Sequence, residues 1–159
     1  SSYDSRTGLS SSIYYYYYDD IVAFKIGKTG SFDWQKRISK SQVSTNDGGP
    51  FSSYSSFTDG QKLFFIFNDN LKNYDENGSF SRGTLPCYAF NLSRRKNTSA
   101  LCEVTLSSGA VERKTLFTRK ELNSIVVPKM FKLDISNQEL LFEVLNRFHS
   151  SRLGLFFFV

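Results

Sequence analysis

The six residues Asn73-Tyr74-Asp75-Glu76-Asn77-Gly78 place side-chain oxygens at alternating positions with glycine sixth, the opening pattern of a calcium loop. Asp69, Asn73, Asp75 and Asn77 are the donors such a site would use, with Asn68 and Asn70 close enough in sequence to complete an oxygen cage. Two positions depart from the pattern. The first is Asn rather than Asp, and the twelfth, Thr84, cannot supply a bidentate carboxylate. Asn- and Asp-rich stretches also form turns by bonding their own backbone, so an ordinary loop competes with calcium here.

Aromatic side chains are the second source of chemistry. Tyr14 to Tyr18 run without interruption, and a strand alternates its side chains between faces, so Tyr14, Tyr16 and Tyr18 would share one face. With Trp34 they could form stacking platforms for a glycan, although a tyrosine strand that simply packs competes with this. Catalytic groups are sparse. The single histidine, His149, has no carboxylate or nucleophile motif beside it. Asp19 and Asp20 are adjacent, hence on opposite faces of a strand, and cannot share a site; capping the tyrosine strand is the simpler role. No nucleophile elbow, phosphate loop, dinucleotide fingerprint or zinc-helix motif occurs, and no catalytic role is expected.

Cys87 and Cys102 lack metal-ligand spacing, and a disulfide and a pair of buried thiols are both compatible with them. The net charge of +5 is spread along the chain. Its longest basic run is Arg94-Arg95-Lys96, which reads as a solvated loop, so no nucleic-acid partner is expected. The longest apolar runs, Leu63 to Phe67 and Leu153 to Val159, are strand-sized and too short to cross a bilayer as a helix. The opening residues Ser1 to Ser5 have neither the basic start nor the apolar core of a secretory signal.

The elements that must position these residues are strands. Of the 159 residues 16% are aromatic, a composition that favours pleated, half-buried surfaces. A strand–turn–strand grammar occurs twice. Ile21 to Ile26 turns through Gly27 to Gly30 into Phe32 to Ile38, and Leu101 to Leu106 turns through Ser107 to Gly109 into Val111 to Phe117. Gly30 and Gly109 are placed where tight hairpins need positive φ. Val22, Phe24 and Ile26 share one face, as do Phe32, Trp34 and Ile38, with Cys102, Val104 and Leu106 at the corresponding place in the second hairpin. Arg113 stands where the first hairpin has Trp34.

Elsewhere, residues 1–12 read as a flexible arm or loop, Ser53 to Phe57 as a short strand, and Leu63 to Phe67 as a central strand covered on both faces. Residues 68–100 read as a loop insertion in which Leu85 to Leu92 is a further strand. Pro128 interrupts a strand over Ile125 to Leu133, which is therefore an edge or carries a bulge. For 139–148 two patterns compete. Ser136 to Glu139 resembles a capping box and Leu140, Leu141, Val144, Leu145 and Phe148 are spaced for a helix, whereas Leu140, Phe142 and Val144 alternate as in a strand. Two similar hairpins in series predict an all-β chain of antiparallel sheets arranged as blades of a partial β-propeller, with units at about 13–38, 53–117 and 124–159; a β-sandwich is the alternative.

The run Tyr14 to Val22, with Gly30, Trp34, Lys36-Arg37-Ile38, Gly48-Gly49, Ser52-Ser53-Tyr54, Phe65 to Asn70 and Lys72-Asn73, resembles uncharacterised envelope proteins of the Bacteroidetes. The resemblance implies the C-terminal part of a longer propeller-like chain at the periplasm or cell surface, associated with the outer membrane. It also implies that Glu139 to Val144 is a strand paired with Leu153 to Val159. The expected function is a non-catalytic scaffold whose partners are protein subunits of an envelope assembly, with glycan binding as the alternative.

Overall fold

The computed structural model describes residues 2–4, 6–92, 96–134, 139–145 and 151–157 of the chain. It is all-β, 52% strand against 8% helix, and none of its sheets closes on itself. In chain order the strands are β1 (Ser2–Asp4), β2 (Leu9–Ser11), β3 (Tyr15–Tyr17), β4 (Ile21–Ile26), β5 (Phe32–Ile38), β6 (Val43–Thr45) and β7 (Ser55–Thr58). There follow β8 (Lys62–Asn70), β9 (Asn97–Thr105), β10 (Val111–Thr118), β11 (Ile125–Val126), β12 (Lys132–Asp134), β13 (Glu139–Leu145) and β14 (Ser151–Phe157). One helical turn, α1 (Arg119–Leu122), is closed by a capping box between Thr118 and Glu121.

The centre is an antiparallel sheet in the order β10-β9-β8-β7. Strand β8 is apolar on both sides, and both sides are covered. Phe65 and Phe67 join Ala100, Cys102 and Val104 in a core closed from outside by Ile21, Ala23 and Ile38 of the β4–β5 hairpin. Phe64, Ile66 and Leu101 face the other way and pack on Leu140 of β13. Hairpin, central sheet and the sheet around β13 therefore form three layers, each joined to the next by an apolar face. The free edge of β10 is covered by the connection between β8 and β9, through Phe80 N–H to Arg113 O (3.0 Å) and Thr115 N–H to Gly78 O (2.8 Å).

Both predicted hairpins are present, with Gly30 and Gly109 at φ of 84° and 68°. The face predicted for Phe32 is corrected. A bulge pairs Lys25 with Trp34 but Ile26 with Phe32, so Asp33 is the extra residue and Phe32 turns to the side opposite Trp34. Pro128 does interrupt the last edge: β11 and β12 flank a turn of 3-10 helix and both pair with β13. The helical spacing over 139–148 does not prevail, because β13 is a strand over its described residues and pairs with β14 from Glu139↔Phe157 to Leu145↔Ser151. Leu140, Phe142 and Val144 are buried along it, and pairing on both edges outweighs the local helix signal. Residues 135–138 and 146–150, with the start of the capping pattern and His149, lie outside the described residues.

Two further expectations are revised. Within residues 1–12, read as a flexible arm or loop, Ser2–Asp4 pairs antiparallel with Leu9–Ser11 as β1 and β2. Leu85 to Leu92 is not a ladder strand; among the described residues its one bridge joins Phe90 to Gln42. The backbone there is held by side chains instead, since Tyr88 N–H donates to Asn73 Oδ1 (2.7 Å) and Ala89 O accepts from Asn70 Nδ2 (3.0 Å).

Candidate functional site

Register parity puts Asp69 on the same face of β8 as Phe65 and Phe67, at the end of an apolar row and with no solvent exposure. A carboxylate there must be fully paired. Its Oδ1 accepts from Asn73 Nδ2 and from Asn70 N–H, both at 2.8 Å, and its Oδ2 accepts from Tyr74 Oη at 2.7 Å and from Arg113 Nη2. Arg113 reaches it from β10, also donating to Tyr74 Oη from Nε (2.7 Å) and to Ser39 O from Nη1. Its guanidinium lies over the rings of Phe80 (4.3 Å) and Phe67 (4.9 Å). Burial works to lower the Arg113 pKa, and Asp69, Tyr74 and Cys87 together outweigh it and raise the value. Burial pushes the Tyr74 hydroxyl well up, and Asp69 adds to that.

Lys40 extends the network. Its ammonium donates to Tyr18 O (2.6 Å) and Gln42 Oε1 (2.9 Å), and Gln42 in turn donates to Asn68 O (2.8 Å) on the central strand. Burial lowers the Lys40 pKa from 10.5 to about 8, against the opposing pull of Asp19, Asp69 and Asp20. Every ionised group here is committed to an internal partner. The network locks the hairpin layer to the central sheet; it presents no free nucleophile or base to a substrate.

Beside it opens a cleft of about 440 Å³ between Ser79–Gly83, β10 and the end of β5. Three of the charges that line it are ion-paired: Glu103 holds Lys62 (2.5 Å) and Lys114 (3.3 Å), and Arg37 pairs with Asp20. The Lys62 and Lys114 contacts outweigh partial burial and hold the Glu103 carboxyl below its usual range.

The oxygen donors proposed from sequence are not gathered around one point. Asp69 and Asn73 are spent in the buried network, while Asp75 Oδ1 accepts from the backbone of Asn77 and Ser79 (both 2.9 Å) in a side-chain turn. Asn77 is exposed at that turn. Among the described residues no group of three or more His, Cys, Asp or Glu comes together for a metal. Trp34 faces inward. Its Nε1 donates to Leu106 O (3.1 Å) and its ring fills the space above Gly109, where a Cβ would stand 2.8 Å from Cγ. Of the tyrosines, Tyr14, Tyr15 and Tyr17 are exposed, whereas Tyr16 and Tyr18 are half-buried. Cys87 and Cys102 are free thiols, and burial pushes Cys102 up to about 12.

Apolar side chains are exposed on the outer side of β4–β5. Val22, Phe24, Ile26 and Phe32 are 53%, 55%, 53% and 68% exposed and contiguous, with the Phe24 and Phe32 rings 5.8 Å apart. The inner side of the same hairpin is core. An antiparallel sheet in water normally has one polar face, whereas here Gln35 and Arg37 are the polar residues that the register places on the outer side beside the quartet. The bulge at Asp33, which sequence parity missed, brings Phe32 into this quartet. Arg113, Tyr74, Lys40 and Gln42 were also missed, although the Phe65-x-Phe67-x-Asp69 row signals that a buried cation must exist. Comparison of the chain with family profiles, curated proteins and solved structures finds no match.

Proposed function

We propose that the chain is a non-catalytic docking and scaffold segment that offers the outer face of β4–β5 to a neighbouring sheet. The exposed quartet Val22, Phe24, Ile26 and Phe32 carries this reading. Each internal layer of the chain meets the next through such a face, so the uncovered one is matched to the same kind of partner. Rigidity suits the role, because the saturated Asp69–Arg113–Tyr74 network holds the hairpin against the central sheet. Stacked antiparallel sheets of this kind are compatible with blades of a propeller, and the resemblance to envelope proteins favours an outer-membrane-associated assembly as the setting. The test is a photo-crosslinking residue at position 24 or 32 in the cells that make the protein, with exposed position 76 as control. Discrete adducts from 24 and 32 alone are expected; equal labelling from all three positions would overturn the reading.

A second reading has its own observation. Tyr14, Tyr15 and Tyr17 are exposed together, and the Tyr15 and Tyr17 rings lie 6.4 Å apart at 27°. Two exposed rings with planes 27° from parallel offer aromatic surface on which a glycan could stack. Glycan-array binding lost in Tyr15→Ala and Tyr17→Ala would favour it, and an array without any hit would remove it.

A further inference from the structure

Among the asparagines of this chain only Asn77 is followed by glycine. The fold sets this pair in a small turn in the connection between β8 and β9. Gly78 N–H donates to Asp75 O (3.1 Å) and Asp75 N–H to Ser79 O (2.9 Å), while Tyr74 and Phe80 meet behind the turn as an antiparallel bridge. Asn77 is exposed, and among the described residues nothing hydrogen-bonds its side-chain amide. Other asparagines are placed differently. Asn68, Asn70, Asn73 and Asn97 are buried, and each commits its Nδ2 to a hydrogen bond. Asn123 is exposed but is followed by buried Ser124.

An asparagine amide carbon is open to attack by the backbone nitrogen of the next residue. A side chain on that residue crowds the approach, and glycine has none. We infer that Asn77 is a deamidation site. Once released from Asp75 O, the Gly78 nitrogen gives its proton to water, bonds to Asn77 Cγ and expels ammonia, closing a succinimide ring. Water then opens the ring. Attack at Cγ leaves aspartate; attack at the Asn77 backbone carbonyl leaves isoaspartate, whose chain runs on through Cβ and Cγ and gains a carbon. Either route consumes one water and releases one ammonia, with no change of oxidation state.

The longer product matters because this turn covers a sheet edge. Gly78 O accepts from Thr115 N–H (2.8 Å) on β10, and the two residues pack so closely that a Cβ at Gly78 would collide with Thr115 Oγ1. An extra backbone carbon just before Gly78 shifts its carbonyl off Thr115 and uncovers that part of the edge, where unpaired N–H and C=O groups are a template for pairing. Aspartate keeps the backbone length and the cover.

The experiment ages the folded 159-residue chain in mildly alkaline buffer made with heavy-oxygen water and maps its peptides by mass spectrometry. The peptide holding Asn77 should lose its amide and gain heavy oxygen before any other. It should split into two isomers, one of which takes a methyl group from an isoaspartyl methyltransferase. Asn77→Gln should leave that peptide unlabelled. Hydrogen exchange at the Thr115 amide should lose protection in the isoaspartyl fraction and keep it in Asn77→Asp. Asn77 still intact when Asn123 or a buried asparagine has reacted, or heavy oxygen spread evenly over the asparagines, would overturn the site. Isoaspartate at 77 with Thr115 as protected as before would overturn its effect on the edge.

Discussion

Replacing Arg113 with methionine should be among the most damaging single changes in this chain. Asp69 has no solvent exposure, and the Arg113 side chain that faces it is 4% exposed. Methionine keeps a long apolar stem against Phe67 and Phe80, so the loss reports charge more than volume. The carboxylate would retain Tyr74 Oη, Asn73 Nδ2 and Asn70 N–H but no cation. Removing one member of a buried ion pair costs about 3–5 kcal/mol, because the other charge stays buried and uncompensated. Total stability for a domain is about 5–15 kcal/mol, so the variant should sit near the edge of folding. With a urea slope of about 2 kcal/mol per M, the unfolding midpoint should fall by about 1.5–2.5 M. Asp69→Asn alone should also be strongly destabilising, since it strands the guanidinium. The double variant should lose at least about 2 kcal/mol less than the sum of the singles, the size of coupling found for residues in one ion-pair network. A midpoint loss under about 0.5 M for Arg113→Met, or a double variant equal to the sum, would refute the reasoning.

Other consequences are smaller. Lys40 has a folded pKa of about 8 against 10.5 unfolded, so below pH 8 both states hold the proton and the folded state bears the whole burial cost. As pH rises from 8 to 10.5 the folded form loses its proton first, and the stability of wild type relative to Lys40→Met should climb by about 3 kcal/mol; a flat difference across that window would count against it. Gly109→Ala forces a Cβ toward Trp34 at φ 68° and should cost about 1–3 kcal/mol, lowering Tm by about 3–10 °C with a shift in Trp34 emission. Unchanged melting would mean that the turn can move away from the indole. Both thiols are free and have raised pKa values, so a thiol reagent at neutral pH should label Cys87 slowly and the fully buried Cys102 only as the protein unfolds. Rapid labelling of Cys102 in the native protein would show that the core opens there.

Strand identity was legible in the sequence wherever alternation and turn residues agreed. Ile21 to Ile26, Phe32 to Ile38 and the doubly apolar run around Phe65 are strands where the pattern puts them, and Pro128 breaks the edge it was expected to break. Parity failed at one residue. The bulge at Asp33 depends on how the turn through Gly30 closes, and it moved Phe32 from the core face to the outer face. For 139–145 the local helix signal lost to pairing with segments far along the chain, which no window of the sequence contains. The buried network was half legible. Asp69 continues the row of Phe65 and Phe67, but its partners come from β10 and the loop after β8, and only the fold brings them together. The outward quartet needed the fold as well, because sequence shows that the hairpin is apolar on both sides but not which side is covered.

The most direct test of the docking face is hydrogen exchange of residues 21–38 in the natural assembly, compared with the isolated 159-residue chain, using residues 55–70 as internal reference. Protection should rise on 21–38 in the assembly, while 62–70, already covered on both faces, stays the same. Exchange on 21–38 as fast in the assembly as in the isolated chain would contradict a docking role for that face.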